Sequence, residues 1–412
     1  MRLKDFARSG HAPTLFMSFL YFDVSFMVWV LVGVLGASIA GQFGLTASQK
    51  GLMVAIPILG GTLVRIPMGL LADRIGPRRT GILGQLFILL PLLWAWRWGD
   101  SVPQVMAFGL LLGVAGGSFA VALPLVSRWY PPQYQGLAMG IAGAGNSGTV
   151  LAALFAPRLA ESVGWHGVFG LAIIPVAVVL ALFSIFARES PTQPEAKPIR
   201  AYLDLLRHRD TLWFCLFYCF TFGGFVGLAS FLVIFFHDQY SLQKVTAGNL
   251  TALCVFAGSF LRPLGGYLSD RYGGARVLTV LFGLAAVGLV AVSFMPPVAW
   301  VTPLLFATMG ILGLGNGSVF QLVPQRFRKE IGVATGIVGA AGGLGGFLLP
   351  SLLGALKDSV GTYGAGFVCL AAVGLANMFL LRAVRAKWLW LLERTANDQP
   401  VAGPIKAFES TS

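Results

Sequence analysis

Long apolar stretches alternate with short polar connections along the whole chain. Twelve apolar segments can be placed, each long enough to cross a bilayer as a helix of about 20 residues. We number them span 1 to span 12, in the order 13–38, 48–71, 80–98, 103–126, 136–158, 166–187, 211–236, 245–268, 277–296, 299–322, 332–355 and 361–384. The apolar runs are continuous rather than alternating, so they predict helices and not the strands of a membrane barrel.

A longer polar connection at 188–210 separates the first six spans from the last six. The pattern therefore predicts an all-α membrane protein built from two six-helix bundles. The N-terminal bundle is predicted at 1–187, a cytoplasmic linker at 188–210, the C-terminal bundle at 211–386 and a cytoplasmic tail at 387–412. Span 1 follows a basic N-terminus and has no small-residue cleavage site, so we expect it to be retained rather than removed as a signal peptide.

Composition narrows the class of protein. The chain has 412 residues, of which 56% are hydrophobic and 11% are charged, whereas a soluble domain carries about 25% charged residues. This excludes a soluble enzyme, a disordered protein and a nucleic-acid binder, although the net charge is +13. All four cysteines lie in apolar runs and the four histidines have no metal-ligand spacing, so neither a disulfide framework, a metal nor another cofactor is expected.

The basic residues predict the orientation. With the N-terminus inside, 22 of the 29 lysines and arginines fall in inside segments and only five in outside loops. Such a bias is typical of cytoplasmic loops, so both termini are predicted to be cytoplasmic and the protein to lie in the plasma (inner) membrane, as a monomer in contact with lipid. The two remaining basic residues, Arg65 and Arg262, lie inside spans.

The two halves contain related sequences. Gly-Leu-Leu-Ala-Asp-Arg-Ile-Gly-Pro-Arg-Arg at 69–79 returns as Gly-Tyr-Leu-Ser-Asp-Arg-Tyr-Gly-Gly-Ala-Arg at 266–276, an offset of 197 that also relates Arg65 to Arg262. A second set of positions repeats at an offset of 200, namely Gly113, Gly117, Ser118, Pro124 and Arg128 with Gly313, Gly317, Ser318, Pro324 and Arg328. Repeated membrane halves predict two pseudo-symmetric bundles around a central site near the midplane.

The loop at 69–79 and its weaker copy resemble the signature of the major facilitator superfamily. That resemblance implies the major facilitator fold, in which twelve helices form two six-helix bundles. The loop residues Asp73 and Arg74, with Asp270 and Arg271 in the copy, are predicted to form ion pairs between the bundles that favour an outward-open state. The alternative is that they only cap helix ends.

Three ionisable residues lie deep in predicted spans, namely Asp23, Arg65 and Arg262. A charge at the centre of a membrane helix costs on the order of 3 kcal/mol, and such residues are functional by default. One arginine could pair with Asp23 and merely hold helices together, but the other would then have no acid. A site with two arginines and one aspartate is net positive, so we expect it to bind an anion.

Guanidinium groups narrow the kind of anion. They are planar, permanently charged and offer paired donors that fit planar oxyanions. Nitrate, nitrite, carbonate-like and carboxylate anions all satisfy this geometry, and the arginines alone do not choose among them. Export of hydrophobic cations is a poor match for a site with two arginines and a single acid.

Glycine is concentrated in spans 5 and 11. Span 5 contains Gly-Ala-Gly-Asn-Ser-Gly at 143–148, and span 11 has glycines throughout 332–346. Small residues at these spacings let helices approach closely, and bare backbone could also face a small ligand. Asn146 either donates to an anion or makes an interhelical hydrogen bond.

The glycine runs, the paired arginines, the helix 7 segment 218–227 and Phe119 together resemble the nitrate/nitrite porter family. The resemblance implies that paired arginines bind the anion, aromatic rings enclose it and an asparagine adds a polar contact. The residues that would take these roles are Arg65, Arg262, Asn146, Phe119, Tyr218 and Phe222. For the two phenylalanines, ordinary packing is the alternative.

These observations predict a transporter rather than an enzyme. It is expected to import nitrate, with nitrite as a second candidate substrate, by alternating access for nitrate assimilation. Anion entry works against about 2.3 kcal/mol per charge for each 100 mV of membrane potential. Asp23 is the one buried carboxylate that could carry a compensating proton, so nitrate/proton symport is expected. Nitrate/nitrite antiport and exchange of another small organic anion stay open.

Overall fold

The computed structural model describes residues 6, 8–191, 198–327 and 331–397, and the regular structure of this part of the chain is helical. Parts of the predicted linker (192–197) and tail (398–412) lie outside the described residues. A 3₁₀ turn spans Ala144–Ser147. In chain order the α-helices are Ala12–Trp29, Leu31–Val34, Gly36–Phe43, Ala47–Ile75, Pro77–Trp98, Val102–Gly116, Phe119–Ser127, Pro132–Gly143, Gly148–Phe186, Ile199–Leu206, Arg209–Tyr240, Lys244–Phe260, Arg262–Tyr272, Gly274–Ser293, Val298–Arg326, Ile331–Val360 and Gly364–Asn397.

The predicted all-α membrane fold with twelve spans is confirmed. Eleven described segments are long and apolar enough to cross a membrane, and the longest of them, Ala138–Phe186, holds two spans. Gly164 divides it with φ 71° and ψ 163°, a conformation that only glycine adopts without strain. The chain is therefore a multi-pass membrane protein.

Several spans are interrupted near their centres. Span 1 is broken at Val30, span 4 at Gly117, span 5 by the turn Ala144–Ser147 and span 8 at Leu261. Irregular backbone at membrane depth is tolerated where it is buried in protein or lines a cavity.

The internal repeat is visible in the packing. Span 2 crosses span 4 so closely that a Cβ on Gly113 would lie 2.4 Å from the Cα of Gly60. Span 8 crosses span 10 in the same way, since a Cβ on Gly313 would lie 2.7 Å from the Cα of Gly258. The two halves then pack together through span 2 against span 11, span 5 against span 8 and span 1 against span 7.

The halves are joined at the end of the molecule that carries Lys50, which we call the Lys50 end. Lys50 Nζ lies 2.6 Å from Asp238 Oδ2, an ion pair between spans 2 and 7. The carboxylate of Asp358 in span 11 accepts hydrogen bonds from the backbone amides of Ala47 (3.1 Å) and Ser48 (2.8 Å), the first residues of span 2. An acidic group at a helix N-terminus is stabilising, so this contact holds the Lys50 end closed.

The loop residues at the opposite, basic end bond differently from the prediction. Asp73 pairs with Arg128 of its own half at 2.8 Å, and Asp270 accepts a 2.8 Å hydrogen bond from Gln321 of its own half. Arg74 is exposed and Arg271 lies over the ring of the adjacent Tyr272. The predicted pairs between the bundles are thus not formed here, because each loop folds against the neighbouring span of its own bundle. For an outward-open state they stay a prediction.

The structure adds two features to the predicted segments at the C-terminus and in the linker. The final helix continues to Asn397, past the predicted end of the bundle at 386, because no proline or glycine interrupts the sequence there. The predicted linker contains the helix Ile199–Leu206, whose Tyr202 is buried between Gly69 of span 2 and Gly336 of span 11. Burial, together with the negative charge of Asp73, raises the pKa of the Tyr202 phenol. The linker therefore takes part in packing at the basic end.

Candidate functional site

Both intramembrane arginines face the interior of the molecule. Arg65 lies in the middle of Ala47–Ile75 and is 2% exposed, while Arg262 begins the second helix of span 8 and is 8% exposed. Because spans 2 and 8 are related by the repeat, the two side chains enter the centre from opposite halves. Both guanidinium groups lie beside the same ring, since the Cζ atoms of Arg65 and Arg262 are 5.8 and 5.6 Å from the centroid of Phe119.

Arg65 is held by backbone carbonyls. Its Nε donates to the carbonyl oxygen of Gly116 at 3.2 Å, and its Nη1 donates to the carbonyl oxygen of Gly339 in span 11. Gly116 lies beside the break in span 4, where carbonyls lose intrahelical partners. The third nitrogen, Nη2, is buried and has no hydrogen-bond partner among the described residues. This donor is free for a ligand.

Arg262 lies among aromatic side chains. Its guanidinium lies close to the hydroxyl of Tyr218. Its Cζ lies 5.6 Å from the ring centroid of Phe119 and 5.8 Å from that of Phe320, within the range of cation–π attraction. Buried Nη1 has no partner in the described part of the chain. Each arginine therefore presents one unused donor.

Aromatic rings enclose the two guanidinium groups. Tyr218 and Phe222 stack in parallel with centroids 5.0 Å apart, and Phe320 meets Tyr218 edge-on at 4.8 Å and Phe119 at 5.4 Å. The Cζ of Arg65 lies 4.9 Å from the centroid of Phe222, 5.8 Å from that of Phe119 and 5.5 Å from that of Trp29. The walls are flat and apolar, and they exclude water from the donors.

The charge balance of this centre is positive. In the part of the chain that the structure describes, neither guanidinium forms an ion pair with a carboxylate. Electrostatic attraction is strong in such a low-dielectric, water-poor setting, and a buried unpaired charge is expensive. Two planar cations with unused donors, beside aromatic ring faces, can bind a small flat anion.

Asp23 does not pair with the arginines of this centre. Its carboxylate accepts a 2.6 Å hydrogen bond from the hydroxyl of Ser147. Among the described residues Asp23 forms no ion pair with Arg65 or Arg262, so the alternative in which it pairs with a buried arginine is not formed here. The physical reason is the break in span 5, which brings the hydroxyl of Ser147 to this carboxylate. Asp23 thus fastens span 1 to the break that carries Asn146.

Asn146 lies in that break and is 0% exposed. Both atoms of its side-chain amide are buried without a hydrogen-bond partner among the described residues. The predicted alternative of an interhelical hydrogen bond is thus not formed by these residues. A buried amide of this kind needs a ligand or water to be satisfied, and its role as an anion contact stays a prediction.

The glycines of span 11 allow close packing around Tyr218 and Arg65. A Cβ on Gly342 would lie 2.4 Å from the ring of Tyr218, and a Cβ on Gly345 would lie 2.2 Å from the carbonyl oxygen of Cys219. Glycine at both positions lets span 11 pack against span 7 and leaves room for the tyrosine. With the Gly339 carbonyl on Arg65, these contacts account for much of the glycine run.

Sequence reasoning missed three parts of the site. Trp29 is one aromatic among many in its span, and the carbonyls of Gly116 and Gly339 leave no trace in residue type. Phe320 did have a signal, because it follows Gly317-Ser318 in the second copy as Phe119 follows Gly117-Ser118 in the first, displaced by one residue. At the offset of 200 Phe119 therefore corresponds to Val319, and the relation to Phe320 is not apparent.

Several known proteins are similar to this chain in sequence. A profile of the Major Facilitator Superfamily matches residues 17–350. The chain is 34% identical to the Nitrite extrusion protein of Bacillus subtilis, covering 90% of this chain and 92% of that one. It is 38% identical to the Probable nitrate/nitrite transporter NarK2 of Mycobacterium tuberculosis, covering 89% and 94%. For the Probable nitrate/nitrite antiporter NarK1 of Thermus thermophilus the identity is 32%, covering 93% and 92%.

A solved structure supports the fold alone. The bacterial homolog of the human lysosomal transporter Spinster, in an inward-facing and unoccupied conformation, superposes with a TM-score of 0.65 at 18% identity, covering 95% of this chain and 99% of that one. The named relatives are transporters, which agrees with the prediction that the chain is not an enzyme. The chain belongs to the Major Facilitator Superfamily and, within it, to the family of nitrate/nitrite porters.

Proposed function

We propose that this protein carries nitrate and nitrite across the plasma (inner) membrane by alternating access, with the anion bound between Arg65 and Arg262. The observation that carries the proposal is a pair of buried guanidinium groups, each with an unused donor and neither paired with a carboxylate among the described residues. Three curated relatives named for nitrate or nitrite support the choice among planar oxyanions.

The transport step follows from the packing. The Lys50 end is held closed by Lys50–Asp238 and by Asp358 on the start of span 2. The excess of basic residues at the other end assigns it to the cytoplasm, with both termini there. We infer that rupture of these contacts opens the path from the site to the outside.

The direct test is transport into proteoliposomes made with the full-length protein. Vesicles preloaded with nitrite should take up labelled nitrate, and vesicles preloaded with nitrate should take up nitrite. Formate is the matched competitor, because it is a planar oxyanion in which a C–H carbon takes the place of the nitrogen of nitrite. Transport of formate without nitrate or nitrite would contradict the proposal and favour the organic-anion exchanger.

For the coupling mode, the charge balance favours nitrate/nitrite exchange over proton symport. Returning without an anion would leave two uncompensated cations in the membrane interior, which is expensive. Returning with a second anion keeps the charge compensated, and the exchange of one monovalent anion for another is independent of the membrane potential. Symport through Asp23 is less favoured, because among the described residues this carboxylate forms no ion pair with either arginine and accepts a hydrogen bond from Ser147 instead.

Replacing Asp23 by asparagine separates the two modes. We expect Asp23→Asn to change nitrate/nitrite counterflow by less than about twofold, because the asparagine carbonyl can still accept from Ser147. Uptake is measured with and without an imposed inside-negative potential, together with the internal pH. Acidification of vesicles during nitrate uptake by the wild type, lost in Asp23→Asn, would instead establish symport.

A further inference from the structure

Span 10 contains a buried amide that the site described above does not use. Asn316 is 0% exposed, and neither its Nδ2 nor its Oδ1 has a hydrogen-bond partner among the described residues. Nearly all buried polar groups in proteins are satisfied, so an amide left open in a membrane interior calls for a reason. Asn146, in the other half, is in the same condition.

The internal repeat places Asn316 beside Arg262. At the offset of 200, Asn316 corresponds to Gly116, whose carbonyl oxygen lies 3.2 Å from the Nε of Arg65. The side-chain direction at position 116 leads to Trp29, since a Cβ there would lie 2.3 Å from the indole. That indole faces the guanidinium of Arg65 at 5.5 Å. The repeat therefore predicts that position 316 lies close to Arg262, as position 116 lies close to Arg65.

Local contacts of span 10 agree with this placement. A Cβ on Gly317, the next residue, would lie 2.0 Å from the carbonyl oxygen of Arg262. Phe320 follows Asn316 by four residues and therefore lies on the same face of the helix. Its ring is 5.8 Å from the Cζ of Arg262, whose Nη1 has no partner among the described residues. Asn316 is thus one helical turn from a ring that contacts the arginine.

We propose that Asn316 is a second amide contact of the transported anion and that it favours nitrate over nitrite. This rests on the proposed transport of these anions. Arg65, Arg262 and Asn146 would suffice for the two oxygens of nitrite, whereas nitrate has a third oxygen that is unsatisfied without another donor. Span 11 has no asparagine to supply it. The amide Nδ2 of Asn316 supplies it from span 10.

The test compares the binding of nitrate and nitrite to purified full-length protein. We expect Asn316→Ala to weaken nitrate binding about tenfold, as for loss of one hydrogen bond to an anion, and nitrite binding by less than about threefold. Asn316→Asp keeps the size of the side chain but places a carboxylate beside Arg262, so it should abolish binding of both anions. Asn377→Ala, at a buried amide in span 12, is the control and should bind as wild type.

Each outcome is decisive. Thermal unfolding shows which variants are folded. If Asn316→Ala does not fold, anion binding by the isosteric Asn316→Asp variant decides instead. Folded Asn316 variants that bind both anions as wild type would overturn the assignment, and equal weakening of nitrate and nitrite by Asn316→Ala would overturn the nitrate preference. A wild type that binds neither anion would instead overturn the proposed function itself.

Discussion

We expect that replacing Arg65 or Arg262 by lysine lowers nitrate transport by about 100-fold or more, because lysine lacks the planar fork that gives Arg65 two charge-assisted hydrogen bonds of roughly 1.5–3 kcal/mol each. The three nitrogens of Arg65 have separate tasks: Nε binds the Gly116 carbonyl, Nη1 binds the Gly339 carbonyl and Nη2 is left for the ligand. A lysine ammonium keeps the charge but occupies one point, so it cannot serve all three.

Transport by the two lysine variants is measured in proteoliposomes alongside Arg97→Lys, which makes the same substitution at an exposed arginine in span 3. The control should transport as wild type. Charge alone would be sufficient, and the argument from planar geometry would fail, if Arg65→Lys and Arg262→Lys retained transport within a few-fold of wild type. Unfolding curves separate this result from a loss of folded protein.

The arginines could be found from sequence because a charge inside an apolar run is visible without any structure. Arg65 and Arg262 also stand at one offset from a repeated loop, which places them at the same depth in opposite halves. The twelve spans follow from hydrophobicity in the same direct way, and the glycine in the middle of Ala138–Phe186 marks the turn between two of them.

What the sequence could not show depends on breaks in the helices. The carbonyls of Gly116 and Gly339 become ligands of Arg65 only through backbone geometry, which residue type does not encode. Asp23 could pair with an arginine because both are charged and equally deep, but the turn Ala144–Ser147 places the hydroxyl of Ser147 2.6 Å from its carboxylate. The sequence does not show where such a turn brings a polar donor to a buried carboxylate.

The contact at the Lys50 end predicts a second large effect, for the substitution Gly354→Ala. A Cβ on Gly354 would lie 2.2 Å from the carbonyl oxygen of Ala47 and 3.1 Å from the Cα of Ser48, both backbone atoms in the opposite half. The halves can then no longer close at this end. We expect transport to fall at least about fivefold, because overpacking a backbone contact costs about 1–3 kcal/mol, while nitrate binding to the open protein is retained.

The matched control is Gly41→Ala, since a Cβ on Gly41 meets nothing within 4 Å. Transport and nitrate binding are measured on the same preparations of both variants. The distinction matters because Gly354 lies one helical turn before Asp358, the residue that caps span 2. A clash at Gly354 also pulls this carboxylate away from its amides, so steric and electrostatic closure are lost together. Normal transport by Gly354→Ala would mean that the two halves alternate without this backbone contact, and the closed Lys50 end would then not be a required state of the cycle.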